Sequence, residues 1–512
     1  MNNASAILRT LVVYAICVPL AIWLGYLLTS MADFSVSTYI EIGLFGLVLS
    51  LPLLLRWHYV LLVLCINLNM SALFLPGRPA VWLPVLALSL GISVLQRTLN
   101  KDMRFISAPQ ITRPLICLAV VVLVTAKLTG GIGLRTMGGD TMGGKRYFLL
   151  LGGILAYFAL TARRIPPHKA GFYIALFFLS QCTDAIGDLV AVLPSAFNFL
   201  YWFFPANGYI ISEAQSDTGS FRFGGTAAAS AAIFSFMLAK YGIRGIFMSG
   251  KLWRPLLFVT FGVLVLFGGF RSMLIGCALV FLFQFFLEGM HHTKLLPRFI
   301  FAGMLALALS VPFTNKLPYV VQRSVAFLPV KIDNAVREDA QGSSDWRIEM
   351  WKAVMPQVPN HLLLGKGYLL TQLDYDFSMS TAFRTISAAD IGSALAGDYH
   401  NGPLSVVLTF GIWGVIAFLW FLIAGARALY DNYRYGDQAL QTINTLLLAA
   451  FLARAVMFLF VFGALQSDML TFAGLVGLSV SLNGGIRHPT AESVKTDAPA
   501  FSHPRLQTGF QR

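Results

Sequence analysis

The chain has 512 residues, of which 57% are hydrophobic and only 12% charged, with 42 phenylalanines and a net charge of +14. An average soluble domain is about 25% charged, so a water-soluble globule and a disordered polymer are both excluded. A basic balance of this size raises nucleic-acid binding as well as membrane topology, and the positions of the lysines and arginines decide between them.

A spanning helix needs about 20 mostly apolar residues. Fourteen such runs follow one another, centred near Val18, Gly46, Ile66, Ala87, Val122, Leu155, Phe178, Phe234, Val263, Ala278, Leu307, Val415, Phe451 and Gly477. The first carries no small-residue cleavage site and reads as a retained helix rather than a signal peptide. The third is the weakest, because Asn67, Asn69 and Ser71 interrupt it. With the N-terminus cytoplasmic, 21 of the 37 Lys and Arg residues fall in cytoplasmic segments. Six lie in short outer segments or helix mouths, eight in one long outer loop, and two, Lys127 and Arg454, inside helices. Every cytoplasmic turn is then basic, as the positive-inside rule requires. Topology accounts for the charge, and no nucleic-acid partner is expected.

The fold class predicted is an all-α polytopic membrane protein of about fourteen helices. Residues 1–315 hold helices one to eleven with short outer loops, and 316–401 form a large outer loop. Residues 402–485 hold helices twelve to fourteen, and 486–512, rich in Pro, Ser, Thr and His, form a disordered cytoplasmic tail. All five cysteines (Cys17, Cys65, Cys117, Cys182, Cys277) fall inside apolar runs, so neither a disulfide framework nor a thiolate metal site is available.

Chemistry should gather at the outer face, where three segments are too long or too unusual to be plain connections. Residues 130–146 are Gly-rich and basic, ending in Lys145 and Arg146. Residues 191–221 contain the aromatic run Phe197 to Phe204, which suits an interfacial belt better than a sugar platform. The 86-residue loop 316–401 is the one sizeable polar stretch, and its Trp346, Trp351, Tyr368 and prolines predict an ordered cap. The loop ends in Asp398-Tyr399-His400-Asn401-Gly402-Pro403, directly ahead of the twelfth run. Asn401 suits an N-cap and Pro403 the first helical turn. His400 then stands at a helix mouth, where the dipole favours anions and a neutral, proton-accepting imidazole. Gly411 and Gly414, further along, would let another helix approach closely. A capping Asn beside an interfacial His, with packing glycines, explains these residues equally well when they are taken alone.

Two arginines weigh on the functional side. Arg222 precedes Gly224-Gly225-Thr226 and an Ala-rich run, and Arg271 follows Gly268-Gly269-Phe270 in a tight outer turn. Both lie on the face that topology depletes of cations, and a boundary charge is functional by default. Guanidinium forks match phosphate oxygens. Either alone could snorkel to outer headgroups; two that share a face with His400 fit that reading less well. Arg347, in the amphipathic stretch Ser343 to Trp351, could contact substrate or pair internally with Asp345 or Glu349. Arg454 is expected to pair with Glu41, Asp184 or Asp188, or else to line a lipid groove. Asp374-Tyr375-Asp376 has metal-diphosphate spacing but lies outside any nucleotide-binding fold and is discounted. No phosphate loop, His-Glu-x-x-His site or serine elbow is present in the sequence.

These residues together resemble the O-antigen ligase/polymerase family of bacterial polysaccharide assembly. The family's ligase pattern of His-Asn, nine residues and Gly-x-x-Gly fits His400-Asn401, Gly402 to Phe410, and Gly411-Ile412-Trp413-Gly414 without a gap. Arg271-Ser272-Met273-Leu274-Ile275 approximates the family's Arg-x-x-x-Leu, with Ile275 a mild departure. Arg222 looks like its second arginine, and Trp346-Arg347 to Trp351, leading to Leu364-Gly365-Lys366-Gly367, looks like its large-loop pattern. The resemblance covers roughly residues 220–425. It implies a GT-C-like glycosyltransferase whose donor is a glycan on a polyprenyl diphosphate at the outer face of the inner membrane. The implied acceptor is the lipid A core for a ligase, a second lipid-linked glycan for an O-antigen or exopolysaccharide polymerase, and a protein hydroxyl in related enzymes.

On that reading Arg222 and Arg271 meet the diphosphate leaving group, and His400 is the general base, oriented by Asp398 or Asn401. Asn401, Asp398, Arg347, Lys145 and Arg146 are expected to bind substrate. Direct displacement inverts the anomeric centre, and no metal or other cofactor is required. The rival class is a flippase or solute transporter, which commonly shows two related halves and broken helices at the midplane. No internal repeat is visible, and the polar residues gather at one face instead.

Overall fold

The computed structural model describes residues 54–73, 78–100, 104–130, 144–205, 222–328, 330–368 and 399–489, with isolated positions at 46, 52 and 75. The chain divides into two compact units, Met1–His58 and Tyr59–Arg512. The apolar runs near Val18 and Gly46 lie almost wholly outside the described residues, as do Asp374 to Asp376, Asp398 and the tail beyond 489.

The described residues are helical and form no strand; one isolated bridge joins Ser71 and Ala80. Each of the other twelve apolar runs coincides with a helix, except that the run near Ile66 is helical only as far as Cys65. Helix α1 is Leu54–Cys65, α2 Trp82–Leu99, α3 Pro109–Thr129, α4 Gly144–Leu160 and α5 Pro167–Val192. Helix α6 is Gly224–Phe247, α7 Trp253–Leu264, α8 Arg271–Leu287 and α9 Leu295–Ser310. Two helices of the polar loop follow, α10 (Tyr319–Val325) and α11 (Asn334–Val354). Helices α12 (Gly402–Tyr435), α13 (Gln441–Val456, prolonged by a π turn Met457–Val461) and α14 (Leu465–Asn483) complete the order.

Seven of these helices are long and apolar enough to cross a membrane: α2, α3, α5, α6, α12, α13 with its flanking turns, and α14. Helices α1, α7, α8 and α9 are apolar but shorter. Large apolar side chains such as Leu256, Phe301 and Trp413 stand exposed on the bundle, a surface that suits lipid and not water. The protein is an all-α membrane protein.

The core lies where α3 packs on α12, α4 on α14, and α6 on α5, α7, α8 and α13. Small residues permit the close approaches: a Cβ on Gly153 would stand 2.9 Å from the Leu470 nitrogen. At the end of the bundle formed by the α12 C-terminus, Asn444 and Asn483 exchange side-chain hydrogen bonds of 3.1 and 2.9 Å, and Asn432 donates to Ser479 Oγ at 3.0 Å. Interhelical bonds of this kind contribute about 0.6–2 kcal/mol each in an apolar medium. Helix α6 breaks at Gly242 (φ +63°), and Glu288 from the end of α8 caps the restarted helix by accepting from the Ile243 and Arg244 amides. The bundle is thus fastened at this end, and the long polar segment crosses the other.

Candidate functional site

Arg222, Arg271 and His400 lie at the starts of α6, α8 and α12, and each is connected to the helix α11. Asn401 caps α12: its side-chain oxygen accepts from the Leu404 amide at 3.0 Å, and Pro403 lies in the first turn. A Cβ at Gly402 would stand 2.2 Å from the Phe458 carbonyl oxygen, so the helix can start against the π turn of α13 only with glycine there. His400, immediately before the cap, has a left-handed backbone (φ +52°) and is buried, 7% exposed. Its ring stands edge-on between Trp346 (5.6 Å between centroids, 90°) and Phe462 (5.0 Å, 85°). Trp351 Nε1 donates to the Tyr399 carbonyl at 2.7 Å, which fixes the residue before His400 to α11.

Helix α12 breaks at Gly411 (φ +62°), and the break is filled by the segment Leu362–Gly367 of the polar loop rather than by a neighbouring helix. Lys366 and Gly367 amides donate to the Leu408 and Thr409 carbonyls, each at 2.9 Å, and Ile412 donates to Leu362 O at 2.7 Å. A Cβ on Gly411 would meet the Leu362 and Leu363 carbonyls below 3 Å, and one on Gly365 would stand 2.2 Å from Thr409 O. The expectation that Gly411 admits another helix is therefore corrected: its neighbour is the turn segment Leu362–Gly367, whose amides satisfy carbonyls that the kink exposes.

The two arginines are carried by one compact turn. Gly268 and Gly269 (φ +67°) end the 3-10 extension of α7, and Arg271 opens α8. Phe223 N donates to Phe267 O at 3.1 Å, joining the Arg222 segment to this turn. A Cβ on Gly268 would lie 2.7 Å from that of Ala227, so the Ala-rich start of α6 and the Gly-Gly turn are mutually fitted. From there both guanidiniums reach the first half of α11. Arg271 Nη2 donates to Ala340 O at 3.0 Å and to Ser344 Oγ at 3.2 Å, and Arg222 Nη2 lies 3.5 Å from Asp339 Oδ2.

Helix α11 is the common partner. Its Trp346, Met350 and Val354 recur at helical spacing and bury against Tyr399, Leu404 and Leu408 at the head of α12. Asp339 and Trp346 are seven residues apart on it, about 10 Å of axial rise, which is the length scale of a sugar bearing a diphosphate. Arg347 follows Trp346: its guanidinium carbon stands 6.0 Å from the Phe462 ring centre, and with Arg323 it opposes the charge of Arg271. The helix is 21 residues long, more than twice the stretch Ser343 to Trp351 that the sequence indicates. A cation-rich end and an imidazole end thus share one backbone, and between them the chain can hold an anion and accept a proton.

Residues 256–419, about a third of the chain, match the family model described as O-antigen ligase. Over this stretch the chain is similar to the O-antigen ligase family. No curated protein matches it. The matched region runs from α7 into α12; it contains Arg271, Arg347 and His400 and leaves out Arg222, Lys145 and Arg146.

Lys145 and Arg146, at the start of α4, fall on another side of the α12 head. Lys145 is exposed, and Arg146 lies over the Tyr368 ring at 5.7 Å; the Tyr368 hydroxyl donates to Gln466 at 3.3 Å. Glu41 lies outside the described residues, and among them Arg454 pairs with neither Asp184 nor Asp188. Its partner is Asp468, fully buried, which also accepts from the Ala464 amide at 2.8 Å. This pair closes the loop that carries Phe462, so Arg454 supports the histidine's aromatic wall from behind. The 3-10 helix Ser195–Trp202 exposes Phe197, Phe199 and Trp202, in keeping with an interfacial belt.

Sequence reasoning missed Arg323 and Asp339. Arg323 is buried in α10 and makes the closest contact with Asp339, Nε to Oδ2 at 2.6 Å. It was one of eight basic residues in the polar loop, and Asp339 follows Arg337-Glu338 in what reads as a solvated face. The Tyr319 hydroxyl donates to the same carboxylate at 3.1 Å. Burial and the Asp339 charge push this phenol up to about 12, so it stays protonated and a donor at neutral pH.

Proposed function

We propose that this protein transfers a glycan from a polyprenyl-diphosphate carrier to an acceptor hydroxyl at the outer face of a bacterial inner membrane, in the manner of an O-antigen ligase. The observation that carries the proposal is the attachment of Arg222, Arg271 and the surroundings of His400 to the single helix α11. In this reading the apolar runs complete fourteen spans of a GT-C-like fold with both termini cytoplasmic. Residues 1–315 and 402–485 hold the spans, 316–401 the outer segment and 486–512 the cytoplasmic tail.

The reaction follows from the charges. The acceptor oxygen attacks the anomeric carbon as its bond to the diphosphate oxygen breaks, inverting that centre. The departing diphosphate takes the bonding electrons, and Arg222 and Arg271 stabilise its growing charge in a setting of low dielectric. The hydroxyl proton passes to His400, a sugar alcohol being too weak an acid to react unaided. Asn401 Oδ1 is engaged in the helix cap, so Asn401 orients His400 by fixing the helix start; Asp398 would complete the ring's hydrogen bonding. Arg347 is assigned to glycan and phosphate oxygens flanking the reacting atoms, and Lys145 and Arg146, on another side of the α12 head, to substrate oxygens further from them. The polar segment excludes water that would otherwise hydrolyse the donor. Two guanidiniums supply the charge stabilisation, and no step is routed through a metal.

The test is His400→Ala in purified protein supplied with lipid-linked glycan and acceptor. A folded variant should lose transfer by at least about 100-fold, the usual contribution of a general base; full activity would end the proposal. Gel analysis of surface glycan in a deletion strain separates the acceptors. Loss of all glycan from lipid A with polymer left on the carrier is the ligase outcome, and a single repeat on lipid A is the polymerase outcome. Loss of all lipid-linked glycan from the outer face would favour a flippase.

A further inference from the structure

Asp339 is held by more groups than a surface carboxylate needs. Arg323 grips it with Nε at 2.6 Å on Oδ2 and Nη2 at 3.5 Å on Oδ1, while Nη1 donates to the Gly269 carbonyl at 3.1 Å. Arg222 Nη2 approaches Oδ2 at 3.5 Å, and the Tyr319 hydroxyl donates to it as well. The three donors come from two other segments, the start of α6 and helix α10, and they meet beside the turn that presents Arg271. A Cβ on Gly269 would stand 3.4 Å from Arg222 Cδ, so the glycine keeps that side chain and the Arg323-bearing helix against one another. The Arg323 side chain is 9% exposed and requires a counter-anion, whereas the Asp339 side chain is 33% exposed and open to competition from solvent.

A carboxylate offers an arginine fork two oxygens in nearly the spacing that a phosphate does. A diphosphate offers more oxygens and more charge, from the side on which Asp339 is exposed. We propose that Arg323 is a third guanidinium of the donor site, and that Asp339 is its resting anion, displaced when the diphosphate of a polyprenyl-linked substrate binds. The inference rests on the diphosphate site proposed above and adds the residue and the exchange. Displacement releases the first half of α11 from Arg222 and Arg323. The second half stays packed on α12 through Trp346 and Trp351, so donor loading is transmitted to the walls of His400 through one helix.

The experiment is calorimetric titration of farnesyl diphosphate, a short polyprenyl diphosphate, into the full chain in lipid nanodiscs. Asp339→Asn and Asp339→Ala should bind about tenfold more tightly than wild type, equivalent to about 1.4 kcal/mol, and Arg323→Gln about tenfold more weakly. Tyr319→Phe, which removes one donor from the carboxylate and leaves every arginine in place, should tighten binding about threefold; it keeps the proposal exposed should both Asp339 variants fail to fold. Unchanged or weaker binding in folded Asp339 or Tyr319 variants overturns the exchange. If Arg222→Gln still loses binding in that case, the donor-site reading survives without it. If Arg222→Gln and Arg271→Gln both retain wild-type binding, the donor site itself is wrong, and the exchange falls with it.

Discussion

His400 occupies a backbone conformation that L-residues avoid, at a cost of about 1–2 kcal/mol. The surroundings over-determine it: Trp351 holds the preceding carbonyl, Asn401 caps the following helix, and Gly402 is wedged under Phe458. The left-handed turn aims the ring away from the helix axis and between Trp346 and Phe462. Strain at a residue proposed to move a proton has a measurable signature. Glycine has no penalty at this φ and alanine does, so His400→Gly should unfold at a higher temperature than His400→Ala, by a margin worth about 1 kcal/mol. Both should be inactive. Thermal unfolding in detergent decides it, and a more stable alanine variant would mean that the turn is not strained.

Among the elements, α12 departs furthest from a plain spanning helix. Its two pieces join at Gly411, and the polar loop returns as Leu362–Gly367 to hydrogen-bond with the opened turn. Gly411→Ala and Gly365→Ala each place a methyl group on a carbonyl and force a positive φ on an L-residue. Each should destabilise the protein by about 1–3 kcal/mol and loosen the loop, whereas Gly276→Ala in α8, with open space around it, should be neutral or mildly stabilising. Limited proteolysis at the loop and thermal unfolding check this together; equal behaviour of all three variants would refute the docking. The sequence made part of this legible. Asn401-Gly402-Pro403 reads as a helix start because cap chemistry is local, and the Gly-x-x-Gly spacing marks an unusual position. What fills a kink is a matter of tertiary structure, so the spacing alone suggests a helix where a turn of the polar loop lies. The same limit hid Arg323 and Asp339, whose pairing spans sixteen residues of loop and leaves no periodic trace; it also left Asp468 unnamed as the acid that pairs with Arg454, since Asp468 lies on the next helix at no fixed offset.

At the scale of the whole molecule, segments around residues 222, 271, 323 and 400 are widely separated in the chain and are gathered on one helix of the polar segment. That gathering has direction. On the proposed function the donor is a glycan carrier that has crossed the membrane and meets the protein only from outside, which requires α11 on that side and the turn between α6 and α7, with Lys251 and Arg254, on the other. The distribution of basic residues demands the same orientation, because inverting the protein would bring the basic turns to the outer surface. Single cysteines report it directly. In a background with the native cysteines replaced, exposed Lys352 on α11 changed to Cys should react with a membrane-impermeant maleimide in intact cells whose outer membrane has been opened. Exposed Lys251 changed to Cys should react only after the inner membrane is opened as well. The reverse pattern would turn the arginine cluster toward the cytoplasm, where a flipped donor is absent, and transfer at the outer face would be impossible whatever the geometry of the site.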